Sequence, residues 1–346
     1  MQFRFQVVEL RKRYPLKISR GVSTGSRNLF VFAEEDGIVG VGECAPGTGF
    51  DETLVNSAMP QLEAFCQGIA GWSIHQVYGR ARAEGIDPTA LAGLDVALWD
   101  LKAKQAGMPL YRMLGLSRES VPTSVTIGIN PPEVIRDRVP EILARTGGKY
   151  LKVKLGSPDG IEADQANFLA AKEAAAPFDA KLRVDANGGW TVAQAKRMLV
   201  WLAENGADYC EQPLPEGNED GLPELFASRP IPIFVDESCR FSTDVVKVAA
   251  SVDGVNLKLM KCGGLTEALR IVATARAHGL KTMIGCMGES SVAIAAGAAI
   301  GSLFDHIDLD SHLNLDPDPS EGLGWENGCV VPREVPGHGA GLGGAA

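Results

Sequence analysis

Three acidic residues recur in this chain at nearly even intervals. Asp185, Glu211 and Asp236 lie 26 and then 25 residues apart, each near the end of a short apolar run. That interval is the length of one strand–helix unit, so the spacing predicts three successive parallel strands, each delivering one carboxylate to the same rim of a barrel. Three carboxylates held together repel one another unless a cation neutralises them. An all-oxygen set without Cys or His suits a hard divalent ion, Mg²⁺ first and Mn²⁺ second. Capping a helix is the ordinary role for one aspartate so placed. It explains three in register poorly.

Lysines flank the three acids. The stretch Tyr150-Leu151-Lys152-Val153-Lys154-Leu155-Gly156 reads as a strand, and strand side chains alternate, so Lys152 and Lys154 share a face opposite Leu151, Val153 and Leu155. A parallel strand in an α/β fold is covered on both faces, and two lysines there need counter-charges or a purpose. The carboxylate strands supply the counter-charge. Lys258, in Asn256-Leu257-Lys258-Leu259, follows Asp236 by 22 residues. A substrate held on the cation would then have a lysine on each side. Lys261 lies beyond that strand and reads as loop.

The elements that must position these residues form a steady alternation. Apolar strands are predicted at 123–129, 150–155, 182–186, 208–211, 233–237, 255–259, 282–285 and 307–310. Amphipathic helices separate them at about 132–145, 159–175, 191–204, 220–227, 242–250, 265–278 and 290–301. Eight strands at this rhythm indicate a (β/α)8-type barrel. An open doubly wound sheet is the alternative, disfavoured because no G-x-G-x-x-G follows the first strand. Before the barrel, residues 1–118 read as a small α+β unit. Alternating strands at 3–10 and 28–42 turn at Asp36-Gly37, helices follow at 53–70, 74–83 and 89–105, and a small-polar loop spans Ser19–Arg27. No barrel helix follows the eighth strand. The tail, 313–346, carries two short strands around Leu323–Trp325 and Gly328–Pro332 and is expected to return to the N-terminal unit, with 337–346 poorly ordered. The expected division is 1–118, 119–312 and 313–346.

Net charge is −10 with a pI near 5.1, which argues against nucleic acid or an anionic membrane as partner. Seven scattered cysteines without a C-x-x-C suit a reducing cytosol. The N-terminus lacks the apolar core of a signal peptide, and the apolar run 291–304 is too short to span a bilayer. A soluble, cytoplasmic protein is expected, with a small-molecule substrate and a homo-oligomeric assembly.

Lys-x-Lys, Asp-x-Asn, Glu-Gln-Pro, Asp-Glu-Ser and Asn-Leu-Lys-Leu-Met-Lys-x-Gly-Gly, in this order and spacing, resemble the enolase superfamily, muconate-lactonizing-enzyme subgroup. The resemblance covers nearly the whole chain. It implies an α+β capping domain and a modified TIM barrel, (β/α)7β, with one Mg²⁺ per subunit on Asp185, Glu211 and Asp236. It also implies Lys154 and Lys258 as the acid/base pair on opposite faces of the α-carbon, with a metal-stabilised enediolate between the two proton transfers. Lys152 would depress the pKa of Lys154 as a like charge.

Asp308-Leu309-Asp310 and Gly285-Cys286-Met287-Gly288-Glu289-Ser290 resemble the dipeptide epimerases of the subgroup. There the paired aspartates take the substrate's α-ammonium, a sound electrostatic match. Thr126, Cys286 and Met287 are expected beside the substrate. Arg20 could pair with an acidic substrate side chain, as in the subgroup's L-Ala-D/L-Glu enzymes, or be an exposed structural arginine. Asp51 and Glu52 could instead favour a cationic side chain or cap a helix. The reading is an Mg²⁺-dependent dipeptide epimerase. Alternatives are an o-succinylbenzoate synthase or N-acylamino-acid racemase, a muconate-type cycloisomerase, or a catalytically dead barrel. No histidine ends the seventh strand, and none of the five histidines shows a partner in the sequence.

Overall fold

The computed structural model describes residues 1–46 and 52–343. Eight parallel strands form one sheet in sequential order: Ser124–Ile127, Tyr150–Lys154, Lys181–Asp185, Ala207–Glu211, Ile233–Val235, Gly254–Lys258, Lys281–Gly285 and His306–Asp308. The first and last meet through a parallel bridge between Thr123 and Ile307, and Leu309 N–H donates to Thr123 Oγ1 at 2.8 Å. This contact closes the barrel and excludes the doubly wound sheet, whose edge strands stay apart. Each strand lies within two residues of its expected ends. The alternation works as expected: Leu151, Val153 and Val184 are wholly buried beneath the outer helices, while the residues between them face the barrel interior.

Seven helices connect the strands, running from Pro132–Thr146 to Ser291–Ala299. Only a turn at Ser311–Asn314 follows the eighth strand, giving a (β/α)7β barrel. One element was not foreseen. A four-residue helix, Leu259–Cys262, starts directly after the sixth strand where a loop was expected. It is too short to show a helical period, and it carries Lys261.

The N-terminal unit is a three-stranded antiparallel sheet, Gln2–Ile18, Gly21–Glu35 and Ile38–Cys44, covered by Glu52–Cys66, Ile74–Ala83 and Pro88–Gln105. The expected loop at Ser19–Arg27 is a correction. Only Ser19 and Arg20 turn, and the remainder is strand, paired Leu16 to Ser23, Lys17 to Val22 and Ile18 to Gly21 after a register shift between Arg11 and Leu16. Small polar residues hid a strand whose partner supplies the regularity. The longer hairpin reaches the barrel mouth, where Lys17 C=O accepts from Ile129 N–H at 2.8 Å. Asp51 and the Glu52 side chain, read as favouring a cationic substrate or capping a helix, lie outside the described residues.

The tail returns to the N-terminal unit as expected, with a hairpin of Gly324–Glu326 and Cys329–Val331. It is better fixed than composition suggested. Gly337 pairs with Pro109, and Gly341–Leu342 pairs with Ser320–Glu321. His338, for which no partner was foreseen, is buried, with its backbone N–H on Asp100 Oδ1 at 2.8 Å and its Nε2 2.9 Å from Val41 O.

Candidate active site

Strand register sets the site. Lys154, Asp185 and Glu211 are successive partners across the second, third and fourth strands, and Lys258, Gly285 and Asp308 across the sixth, seventh and eighth. Charges that are scattered in sequence thus share one level of the barrel. Asp236 follows the fifth strand. Asp185, Glu211 and Asp236 are all fully buried, and they form the one group of such acidic side chains, among the described residues, close enough to share a cation.

Lysine ammoniums occupy the spaces between the carboxylates. Lys154 Nζ lies 2.6 Å from Asp185 Oδ2, and Lys258 Nζ lies 2.9 Å from Asp236 Oδ2. Lys152, wholly buried, reaches three acids: Asp308 at 2.5 Å, Glu211 at 2.7 Å and Asp185 at 3.3 Å. The sequence assigns it to depress the pKa of Lys154 as a like charge. The structure meets its charge with three carboxylates, and one of them, Asp185, also holds Lys154.

The electrostatics follow from burial set against neighbours. Burial opposes the Lys152 charge, but Asp308, Glu211 and Asp185 outweigh it and hold its pKa well above the ordinary value. Burial likewise opposes the Lys258 charge, and Asp236 and Glu237 raise its pKa above the usual lysine range. Against burial, Lys154 and Lys152 bring Asp185 down to about 2. Burial and the Asp185 charge push Glu211 up to about 7.

Whether these residues fit a cation can be judged from their oxygens. Glu211 Oε2 and Asp236 Oδ2 are buried and accept no directed hydrogen bond, the neighbouring ammoniums lying off the bonding direction. One oxygen from each of the three acids lies within 4.8 Å of the others. Metal–oxygen bonds of about 2.0–2.6 Å bridge such a span. The donor set fits a hard divalent ion.

Asp308 and Asp310 line an inner cavity of about 140 Å³ with Thr126, Cys286, Met287, Lys154 and Lys258. One oxygen of each acid is spoken for: Asp308 Oδ2 by Lys152, and Asp310 Oδ2 by Thr126 N–H at 2.7 Å. Asp308 Oδ1 is buried without a hydrogen-bond partner. Burial and the Asp308 charge raise Asp310 to about 6. Cys286 Sγ lies 3.2 Å from Asp308 O, and Met287 Sδ lies 3.9 Å from Lys258 Nζ. Arg20 stands at the border of this cavity and an outer vestibule of about 670 Å³. It is committed to the chain itself, donating to Glu237 Oε1 at 2.6 Å and to Asn187 O at 2.9 Å.

Several residues around the site were missed. Lys261, read as loop, places its ammonium on the Asp236 carboxylate. Asn256 Nδ2 donates to Glu211 Oε1 at 2.7 Å; it shares a strand face with Lys258, a signal the sequence did contain. Two residues of the N-terminal sheet, Glu43 and Asn28, clamp the segment after Met287. Glu43 accepts from Ser290 Oγ at 2.6 Å and Ala293 N–H at 3.2 Å, while Asn28 Nδ2 donates to Gly288 O at 2.7 Å. A carboxylate at that helix N-terminus is favoured by the unpaired N–H groups there.

Comparison with known proteins gives two family matches. "Mandelate racemase / muconate lactonizing enzyme, N-terminal domain" covers residues 3–115, and "Enolase C-terminal domain-like" covers 134–345. A hydrophobic dipeptide epimerase of Roseobacter litoralis is 61% identical over 339 residues, 98% of each chain. Another, from a Flavobacteria bacterium, is 58% identical over 341 residues, again 98% of each. Among solved structures, the dipeptide epimerase of Enterococcus faecalis complexed with Mg and L-Leu-L-Tyr superposes with a TM-score of 0.89 at 31% identity, covering 98% of both chains.

Proposed function

The chain belongs to the mandelate racemase / muconate lactonizing enzyme family of the enolase superfamily, and on that premise we propose that it is a dipeptide epimerase. It inverts the α-carbon of the C-terminal residue by two-base 1,1-proton transfer and prefers apolar side chains. The observation that carries this reading is the sharing of one cavity by Lys154, Lys258 and an aspartate pair whose Asp308 Oδ1 is unpartnered. An α-ammonium satisfies that oxygen. Substrates of o-succinylbenzoate synthases, N-acylamino-acid racemases and cycloisomerases offer no such group. The preference for apolar side chains is supported by Arg20, whose guanidinium is engaged by Glu237 and Asn187 rather than offered to an acidic substrate. The names of the two relatives near 60% identity point the same way.

Asp185, Glu211 and Asp236 would hold one Mg²⁺, with Mn²⁺ as its substitute, and the bound cation supplies positive charge where the substrate carboxylate gains negative charge. The remaining work falls to side chains. Asp308 and Asp310 fix the ammonium end. Lys154 and Lys258 project from the second and sixth strands, with the carboxylate strands between them, so one takes the α-proton and the other returns a proton to the opposite face.

The test is α-deuterium uptake from D₂O by L,L-dipeptide mixtures in the presence of Mg²⁺, followed by mass spectrometry. Exchange into dipeptides with apolar side chains is expected. Turnover of succinylhydroxycyclohexadiene carboxylate without exchange into any dipeptide would sink the proposal. Lys154→Ala and Lys258→Ala should each lower epimerisation by at least about a hundredfold, the lower end of what general acid–base catalysis contributes.

A further inference from the structure

The groups that surround the three carboxylates bear on which cation the site accepts. Each acid has one oxygen held by a fixed donor of the chain, while its other oxygen faces a lysine ammonium: Lys154 at 2.6 Å from Asp185 Oδ2, Lys152 at 2.7 Å from Glu211 Oε2 and Lys258 at 2.9 Å from Asp236 Oδ2. Asp185 Oδ1 accepts from Asn187 N–H at 2.8 Å. Glu211 Oε1 accepts from Asn256 Nδ2 at 2.7 Å. Asp236 Oδ1 takes the Lys261 ammonium, which also contacts the carbonyls of Asp236, Cys239 and Asn256. Acceptors from the fifth strand's end, its loop and the sixth strand therefore lock Lys261 in place, and its side chain is only 8% exposed. Asn256 is wholly buried. On Glu211 and Asp236 the opposite oxygens, Oε2 and Oδ2, are the ones without a directed hydrogen bond.

A carboxylate with one oxygen tied to a rigid donor leaves only its other oxygen to a cation. Ca²⁺ takes six to eight oxygens and readily accepts both from one carboxylate, whereas Mg²⁺ demands six in a small octahedron. We propose that Lys261 and Asn256 determine metal specificity: by occupying Asp236 Oδ1 and Glu211 Oε1 they enforce one-oxygen ligation and select Mg²⁺ over Ca²⁺. Each acts through a ligand of the cation. This rests on the cation assignment above.

A purely structural lysine makes a different prediction. Removing a positive charge beside the site strengthens every dication alike, so the Ca²⁺ and Mg²⁺ affinities would rise together at constant ratio. Relief of enforced one-oxygen ligation favours Ca²⁺ selectively. The ratio of the two affinities is therefore the readout.

The full chain, stripped with chelator, is titrated calorimetrically with Mg²⁺ and with Ca²⁺, as wild type, Lys261→Met and Asn256→Ala. Each variant should move the affinity ratio toward Ca²⁺ by roughly tenfold, in line with the effect of groups that orient metal ligands. An unchanged ratio in both variants overturns the proposal, and a shift in one alone confines it to that residue. Should circular dichroism show Lys261→Met unfolded, Asn256→Ala decides by the same criterion. Wild-type protein that binds neither ion would overturn the cation assignment itself, an outcome distinct from an unchanged ratio.

Discussion

The two ends of the barrel interior are filled by opposite means. At the mouth, three carboxylates, two aspartates and three lysines crowd into one charged layer. One level below, Arg183 lies against the Tyr150 ring at 3.5 Å and donates to Ser124 Oγ at 2.8 Å. Around it the Tyr209 and Phe234 rings stand 4.9 Å apart, and Phe234 meets His306 edge-on at 5.2 Å. The lower layer is a packed plug of rings around one cation. The upper layer is a set of opposite charges in direct contact. The same eight strands thus carry a stability end and a chemistry end, as the fold's habit of placing sites at strand C-termini requires.

The largest test of this division is Lys152→Met. It leaves Asp185, Glu211 and Asp308 without their shared ammonium, and breaking a buried ion pair costs about 3–5 kcal/mol. Urea melts without divalent ions should show that loss, and Mg²⁺ should restore part of it by binding the folded state alone. Melts unchanged by the substitution would mean that charge balance does not hold the mouth together.

Two interior glycines offer a sharper and smaller test. A Cβ on Gly254 would sit 2.3 Å from Phe234 Cε1, inside the plug. A Cβ on Gly285 would sit 2.9 Å from Asn256 Nδ2 and 3.1 Å from Lys258 Cε, inside the charged layer. Gly254→Ala should cost about 1–3 kcal/mol by overpacking, with exchange per folded molecule unchanged. Gly285→Ala should cost less stability than Gly254→Ala, because it meets side-chain ends rather than a packed ring, yet lose activity on the order of a hundredfold from the displacement of Asn256 and Lys258. The reverse pattern would refute the division between the two ends.

The mouth was more legible than the plug. Carboxylates one strand–helix unit apart and lysines at i and i+2 give a regular signal, because barrel geometry turns sequence period into position. Arg183 sits at i−2 from Asp185 by the same rule, but a lone arginine among apolar residues carries no spacing that marks it as a plug. Lys261 escaped because its helix, Leu259–Cys262, is shorter than one helical period can reveal. Residues 21–27 escaped because their strand character depends on pairing, Gly21–Ser23 with Leu16–Ile18 and Gly25–Arg27 with Glu9–Arg11, a tertiary fact that overrides glycine and serine content.

The smallest effect separates the ends by the sign of their response to pH. Burial raises Glu289, in the loop after the seventh strand, to about 8. Its folded pKa exceeds the unfolded value, so its contribution is full below about pH 4.3 and drains as pH rises toward 8. Burial, with Arg183 beside it, lowers His306 in the plug to about 4. Its contribution is full above about pH 6.5 and is lost as pH falls toward 4. Thermal melts across this range isolate each group as a difference from wild type. Glu289→Gln should gain on wild type as pH rises between 5 and 8, and His306→Asn should gain as pH falls between 6.5 and 4. Differences flat in pH would place neither group in the strongly desolvated setting assigned to it. A Glu289 difference of the opposite slope would mean that the mouth stabilises the carboxylate, so that its positive charges outweigh burial there as they do at Asp185.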